Sequence, residues 1–239
     1  MASIPLPPTR MLAGVEVPDT PLIREALKFA RAHANDAFYN HIQRCWIFGF
    51  IIAAKIPELQ NRDVEAHALA IILHDLGFDP ERKGATTHRR CEVDSAELAR
   101  DFLRRQGTVD SWDSHRLQLV WDAIALHAIG SIVFYKEPVV QACAYGIWAD
   151  FQGPDLVPNG HLTHGEYSEV VRTFPRLHIV KEMTEAWVTQ CHWKPETTFD
   201  TVGAEIGAKY VPGYSEKRKT TLEFLEACTL DDVDPQHQA

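Results

Sequence analysis

Beyond residue 20 the chain spaces its apolar side chains at a helical period, with no convincing run in which apolar and polar residues alternate. That rules out a sheet-built core and predicts one all-α domain of roughly eight or nine helices. The stretch Asp36–Lys55 is the most constraining part. It is apolar on most of its faces, so it must be a helix buried on several sides, and Pro57 ends it. Its longest apolar run, residues 45–54, lies between Arg44 and Lys55 and is far short of the roughly 20 residues a bilayer requires.

The neighbouring segments carry start and stop signals. Asp63 is an N-cap for a helix running to His74, with Gly77 read as its stop. A helix over 92–106 ends at Gly107, and another covers 112–128. Pro138 opens a helix over 138–150 that Gly153-Pro154 breaks. Thr163-x-x-Glu166 is a capping box, and further helices fit 177–191, 198–210 and 215–227. Residues 1–20, with Pro5, Pro7, Pro8 and Pro18, read as an extended arm, laid on the surface or mobile. Residues 21–230 contain nothing resembling a domain boundary and are expected to be a single domain. Residues 231–239 read as a flexible acidic tail.

Charge limits the partners. The formal net charge is −9, from 24 basic and 33 acidic side chains. An acidic chain fits poorly to nucleic acid or an anionic membrane, so the expected partner is a small-molecule substrate, with no nucleic acid and no membrane. The five cysteines are odd in number, widely spaced and free of C-x-x-C pairs, which suits reduced thiols. The N-terminus lacks the apolar segment of a signal peptide, so a cytoplasmic protein is expected. The sequence does not fix the oligomeric state, and a homo-oligomer is compatible with it.

Four polar residues stand where polar residues are costly. His41 is in the middle of the most apolar helix. His74 and Asp75 follow the run AIIL, and Asp150 follows YGIWA. Buried imidazoles and carboxylates need partners or a metal, and four such groups on packed helices can neutralise one another around a cation. Taken alone, His41 reads as a core histidine bonded to a carbonyl. Asp75 at a helix C-terminus opposes the helix dipole, which makes a compensating cation attractive there. His127, after AIAL, reads either as a core-boundary residue or as a group that holds substrate and moves protons. Glu92 reads either as a first-turn acid or as a carboxylate orienting a ligand. The remaining histidines, Cys45 and Cys143 as packing residues, and the six tryptophans as core residues have no assigned chemistry.

The order His41, then His74-Asp75, then Asp150 resembles the H…HD…D pattern of the HD-domain superfamily of metal-dependent hydrolases, over about residues 36–155. The resemblance implies an HD-domain helical bundle with a C-terminal helical extension, and His41, His74, Asp75 and Asp150 as metal ligands. Two-metal relatives place a histidine where this chain has Cys91, which implies one divalent metal, Zn by preference, with Fe, Mn, Co or Ni also suited to the ligands. Phosphohydrolase relatives often place lysine where this chain has Phe78. The stretches RRCEVDSAELARDFL, WDAIALHA and YGIWADFQGP are similar to the cyanamide hydratase-like branch, with Cys91 and Ser95 as departures. That implies a metal-dependent hydratase or hydrolase acting on cyanamide or a nitrile-like compound. Asp75 would position water, His127 would exchange protons and hold substrate, and Phe78 and Glu92 would complete the substrate pocket. Two alternatives stay open. One is an HD-type phosphohydrolase that clamps a phosphomonoester or nucleotide with the loop carrying His88, Arg89 and Arg90. The other is a non-catalytic, metal-containing ligand-binding protein.

Overall fold

The chain enters through a hairpin. In the computed structural model, which describes residues 7–107, 112–218 and 220–228, β1 (Thr9–Leu12) and β2 (Val15–Pro18) pair antiparallel, Arg10 opposite Val17. Ala13 and Gly14 make the two-residue turn, both with positive φ. Val17 is fully buried and anchors this part of the N-terminal segment to the core, while Pro8, Thr9, Arg10 and Met11 stay exposed. Four-residue strands are too short to display a convincing alternation.

α1 (Pro21–His33) follows, with Thr20 Oγ1 accepting the Ile23 amide as its cap. The helix is strongly amphipathic, burying Ile23, Ala26 and Ala30 and exposing Arg24, Lys28 and Arg31. α2 (Asp36–Lys55) is the central helix, capped by Asn35 and buried along nearly its whole length. α3 (Val64–Leu73) begins at Asp63 as expected but ends one residue before His74. Gly77 is not its stop. The residue sits inside a 3-10 turn, Leu76–Phe78, at ordinary φ. Glycine is required there by close approach, since a Cβ would lie 2.2 Å from the Cys91 carbonyl oxygen.

α4 (Cys91–Gln106), α5 (Ser114–Leu126), the short α6 (Gly130–Val133) and α7 (Pro138–Gln152) complete the inner bundle. Outside it lie α8 (His164–Thr173), opened by the Thr163–Glu166 capping box, α9 (Ile179–Trp193), α10 (Gly203–Tyr210) and α11 (Thr221–Glu226). The fold is all-α apart from the small hairpin, as the periodicity requires. The acidic tail, 231–239, lies outside the described residues. No described helix is long and apolar enough to cross a membrane.

The α2–α7 contact positions the chemistry. The two helices run antiparallel with small residues at the seam. A Cβ on Gly146 would lie 2.4 Å from the Cys45 carbonyl oxygen, and one on Gly49 would lie 3.1 Å from that of Ala142. One turn further along the same seam, His41 of α2 meets Asp150 of α7.

Candidate metal centre

His41 is buried in α2, and its Nδ1 lies 2.7 Å from Asp150 Oδ2. With Nδ1 as the donor, Nε2 keeps its lone pair, 3.6 Å from Cys45 Sγ. His74 caps α3, and its Nδ1 lies 2.7 Å from the Ile71 carbonyl oxygen, which fixes the same tautomer. Asp75 follows at once, with Oδ2 3.2 Å from His74 Nε2 and 3.6 Å from His41 Nε2. His74 Nε2 and Asp75 Oδ2 are buried and have no hydrogen-bond partner. Orphaned buried groups of this kind cost about 1–3 kcal/mol each unless something satisfies them. His41, His74 and Asp75 offer ligand atoms all within 4.8 Å of one another. Two imidazole lone pairs and a carboxylate on one point are a donor set that fits a divalent ion.

Asp150 is placed differently from the other three. It shares a ligand set with His41 and Cys45, not with His74 and Asp75. Arg44 holds it through Nε to Oδ1 at 2.6 Å and Nη2 to Oδ2 at 2.8 Å, with both side chains fully buried. Arg176 adds a contact to Oδ1 at 3.0 Å. Burial alone would raise this carboxyl, but hydrogen bonds from Arg44 and His41 hold it far below the usual range. Asp150 thus holds the His41 ring at Nδ1 and is itself held by Arg44 and Arg176. Cys45 lies beside it, its thiol pushed well up by burial and by the Asp150 charge.

The Asp75 carboxyl is pulled down to about 2: burial raises it, and the neighbouring His74, His41 and His127 outweigh that. His127 caps α5, and its Nδ1 lies 2.7 Å from the Ile124 carbonyl oxygen. Burial, helped by the His74 charge, lowers it to about 4, so it is neutral at pH 7. Its ring packs edge-on to His74 with centroids 5.2 Å apart.

These groups floor a cavity of about 300 Å³ that also touches Phe78 and Glu92, so every residue predicted to meet substrate lines it. Glu92 is 2% exposed and clamped by Arg90, Nε to Oε2 at 3.0 Å and Nη2 to Oε1 at 2.9 Å. Burial would raise its carboxyl, but Arg90 holds it below the ordinary value. Arg90 is thus occupied, and neither it nor Arg89 lines the cavity. Cys91 donates to Glu92 Oε2 at 3.2 Å and belongs to neither ligand set found among the described residues. Burial and the Glu92 charge push its thiol well up. Ser95, the other departure, holds the Gly77 amide through Oγ at 2.8 Å and donates to the Cys91 carbonyl.

Sequence reasoning missed Arg44 and half of the cavity wall. Arg44 follows His41 by three residues on one buried helix, but in the sequence it reads as the boundary of the apolar run 45–54. Trp148 and Trp187 line the cavity instead of being plain core. Nothing in the sequence distinguishes them from packing residues.

A buried three-residue metal-type centre in a helical bundle defines a class. Residues 38–145 match the family model of the HD domain. The family consists mostly of metal-dependent hydrolases. No curated protein matches the chain.

Proposed function

We propose that the protein hydrates or hydrolyses a small neutral, nitrile-type substrate at one divalent ion held by His41, His74 and Asp75. The observation that carries this is the pair of orphaned buried atoms, His74 Nε2 and Asp75 Oδ2, beside the His41 ring at the floor of a cavity that no lysine or arginine among the described residues lines. A divalent ion supplies a Lewis acid there and lowers the pKa of water, and Zn suits two imidazoles and a carboxylate.

The chain's own residues do the rest. The Ile71 carbonyl and Asp150 fix the tautomers of His74 and His41, so both Nε2 atoms point their lone pairs inward. Asp75 brings the negative charge. His127, neutral and with Nδ1–H committed to Ile124, keeps Nε2 as a proton acceptor and carries a proton from water to the substrate nitrogen. Apolar walls surround this floor. A phosphate dianion would need cationic partners, and Arg90 is committed to Glu92.

The test is elemental analysis of the purified chain together with a screen of cyanamide, organic nitriles and phosphate esters, run beside His74→Ala. The expected result is about one ion per chain, lost in the variant, with metal-dependent amide or urea formation. Phosphate release that depends on His74, without any hydration of C–N bonds, would overturn the reading. Near two ions per chain would overturn the single-metal assignment.

A further inference from the structure

The cavity has two unlike halves. Its floor, His41, His74, Asp75 and His127, lies within residues 38–145, where the HD domain is matched. Much of its wall does not. Trp148 and Phe151 come from the last turn of α7, Met183 and Trp187 from α9, and Val202 and Ile206 from the start of α10.

These walls are built in fixed positions. Trp148 Nε1 donates to the His127 carbonyl oxygen at 2.7 Å, which sets the indole beside the proton-handling residue. Trp187 packs edge-on against Phe78, centroids 5.1 Å apart, and on its other side meets Gly203, where a Cβ would lie 2.6 Å from the ring. Phe151 leans over the His41 ring at 4.9 Å and remains 42% exposed, while Val202 is 53% exposed. Large apolar residues left open at the mouth of a pocket gain from an apolar occupant.

Size points the same way. One water takes about 30 Å³ of liquid, so a cavity of about 300 Å³ holds about ten waters. Cyanamide would displace only a few of them and would leave the tryptophan faces wet.

We propose that the substrate carries an aryl-sized apolar body, held between Trp148, Phe151 and Trp187, with a terminal carbon–nitrogen multiple bond directed at the His41–His74–Asp75 floor. The inference rests on reading this cavity as the reaction chamber. Addition of water to the carbon breaks one carbon–nitrogen π bond, forms a carbon–oxygen bond and moves one proton from water to nitrogen, giving the imidic acid; its hydroxyl proton then moves to nitrogen as the second carbon–nitrogen π bond gives way to C=O, giving the amide. No other reactant is needed.

The experiment uses the metal-loaded full-length chain and its Val202→Trp and Trp187→Ala variants. Calorimetry measures binding of benzamide and of urea, the products of benzonitrile and cyanamide hydration, and amide formation from benzonitrile is followed separately. Val202 is half exposed with helical backbone angles, so the larger side chain narrows the mouth without entering the core. Benzamide is expected to bind at least about tenfold more tightly than urea, and both variants are expected to reduce that ratio about tenfold, with metal content unchanged. Urea binding as tightly as benzamide, or a ratio that neither variant moves, would overturn the proposal. Benzamide binding with no hydration of any nitrile would support the aryl pocket and defeat the reaction proposed above. Cyanamide hydration without benzamide binding would do the reverse.

Discussion

Two buried ion pairs hold the two halves of the cavity, and they do it differently. On the floor side, Arg44 on α2 holds Asp150 on α7, and Asp150 in turn holds His41. On the wall side, Lys194 at the end of α9 holds Asp94 on α4 at 2.7 Å, both side chains fully buried. Its ammonium also donates to the carbonyls of Arg89 at 2.7 Å and Thr86 at 3.1 Å. The first pair ends on the His41 imidazole, beside His74 and Asp75 on the cavity floor. The second ends on backbone and fastens the loop 81–90 and the C-terminal helices to the bundle. The comparison separates positioning of reactive atoms from positioning of the container.

The first break in that comparison is Arg44→Met. Removing one partner of a buried pair leaves an uncompensated charge and costs about 3–5 kcal/mol. The loss of the Asp150 geometry also releases His41, and losing a ligand's orienting partner costs about 10–100-fold in metal affinity. Chemical denaturation and a metal-competition titration are expected to show both losses together. Lower stability with unaltered metal affinity would sever the link from Asp150 to His41. Arg44→Lys should not rescue it, since an ammonium cannot reproduce the bidentate contact.

Lys194→Met is the matching change on the wall side. The expected stability loss is again a few kcal/mol, about 3, but metal affinity should stay at the wild-type value. The signature is a raised KM for the preferred substrate, with proteolysis opening the 81–90 loop first. A fall in metal affinity as large as that of Arg44→Met would mean the two halves are one mechanical unit.

How much of this was legible follows from the same contrast. The floor could be read because charge in an apolar helix is rare, so His41, His74, Asp75 and Asp150 stood out against their neighbours. What the sequence could not say was that Asp150 is consumed by Arg44, because a basic residue at the edge of an apolar run also reads as its boundary. The walls were illegible for the opposite reason. Trp148, Phe151, Met183 and Trp187 follow the same helical period as true core residues, and only the folded chain shows that they face a void. The hairpin escaped because four-residue strands show little alternation, whereas α1 was readable from Thr20-Pro21 at its start and Ile23, Ala26, Leu27 and Ala30 at helical spacing. Gly77, Gly49 and Gly146 were visible, but their reason, backbone approach, belongs to the pairing of helices.

A smaller effect tests the seam beneath the floor. Gly146→Ala places a methyl 2.4 Å from the Cys45 carbonyl oxygen, and backbone cannot step aside as a flexible side chain would. The helices must part, at a cost of about 1–3 kcal/mol. Because the seam continues to His41 and Asp150, a modest drop in metal affinity should accompany the lower stability. An unchanged thermal midpoint would show that α2 and α7 have slack.

The smallest effect belongs to Glu92, where floor and wall meet, and it is visible only in acid. Its folded pKa lies below the ordinary glutamate value, because Arg90 outweighs the burial that would raise it. The unfolded chain therefore takes up this proton first as pH falls. The stabilisation is complete above the unfolded value, about 4.3, and is lost as pH falls through the lower folded value. Glu92→Gln cannot titrate, so wild type should exceed it in stability by a constant amount at neutral pH. That margin should shrink once pH drops below about 4.3. Denaturant midpoints for the two proteins from about pH 7 down to about pH 3.5 give the curve. A margin that stays flat across the whole range would mean the Arg90 clamp does not set the Glu92 charge.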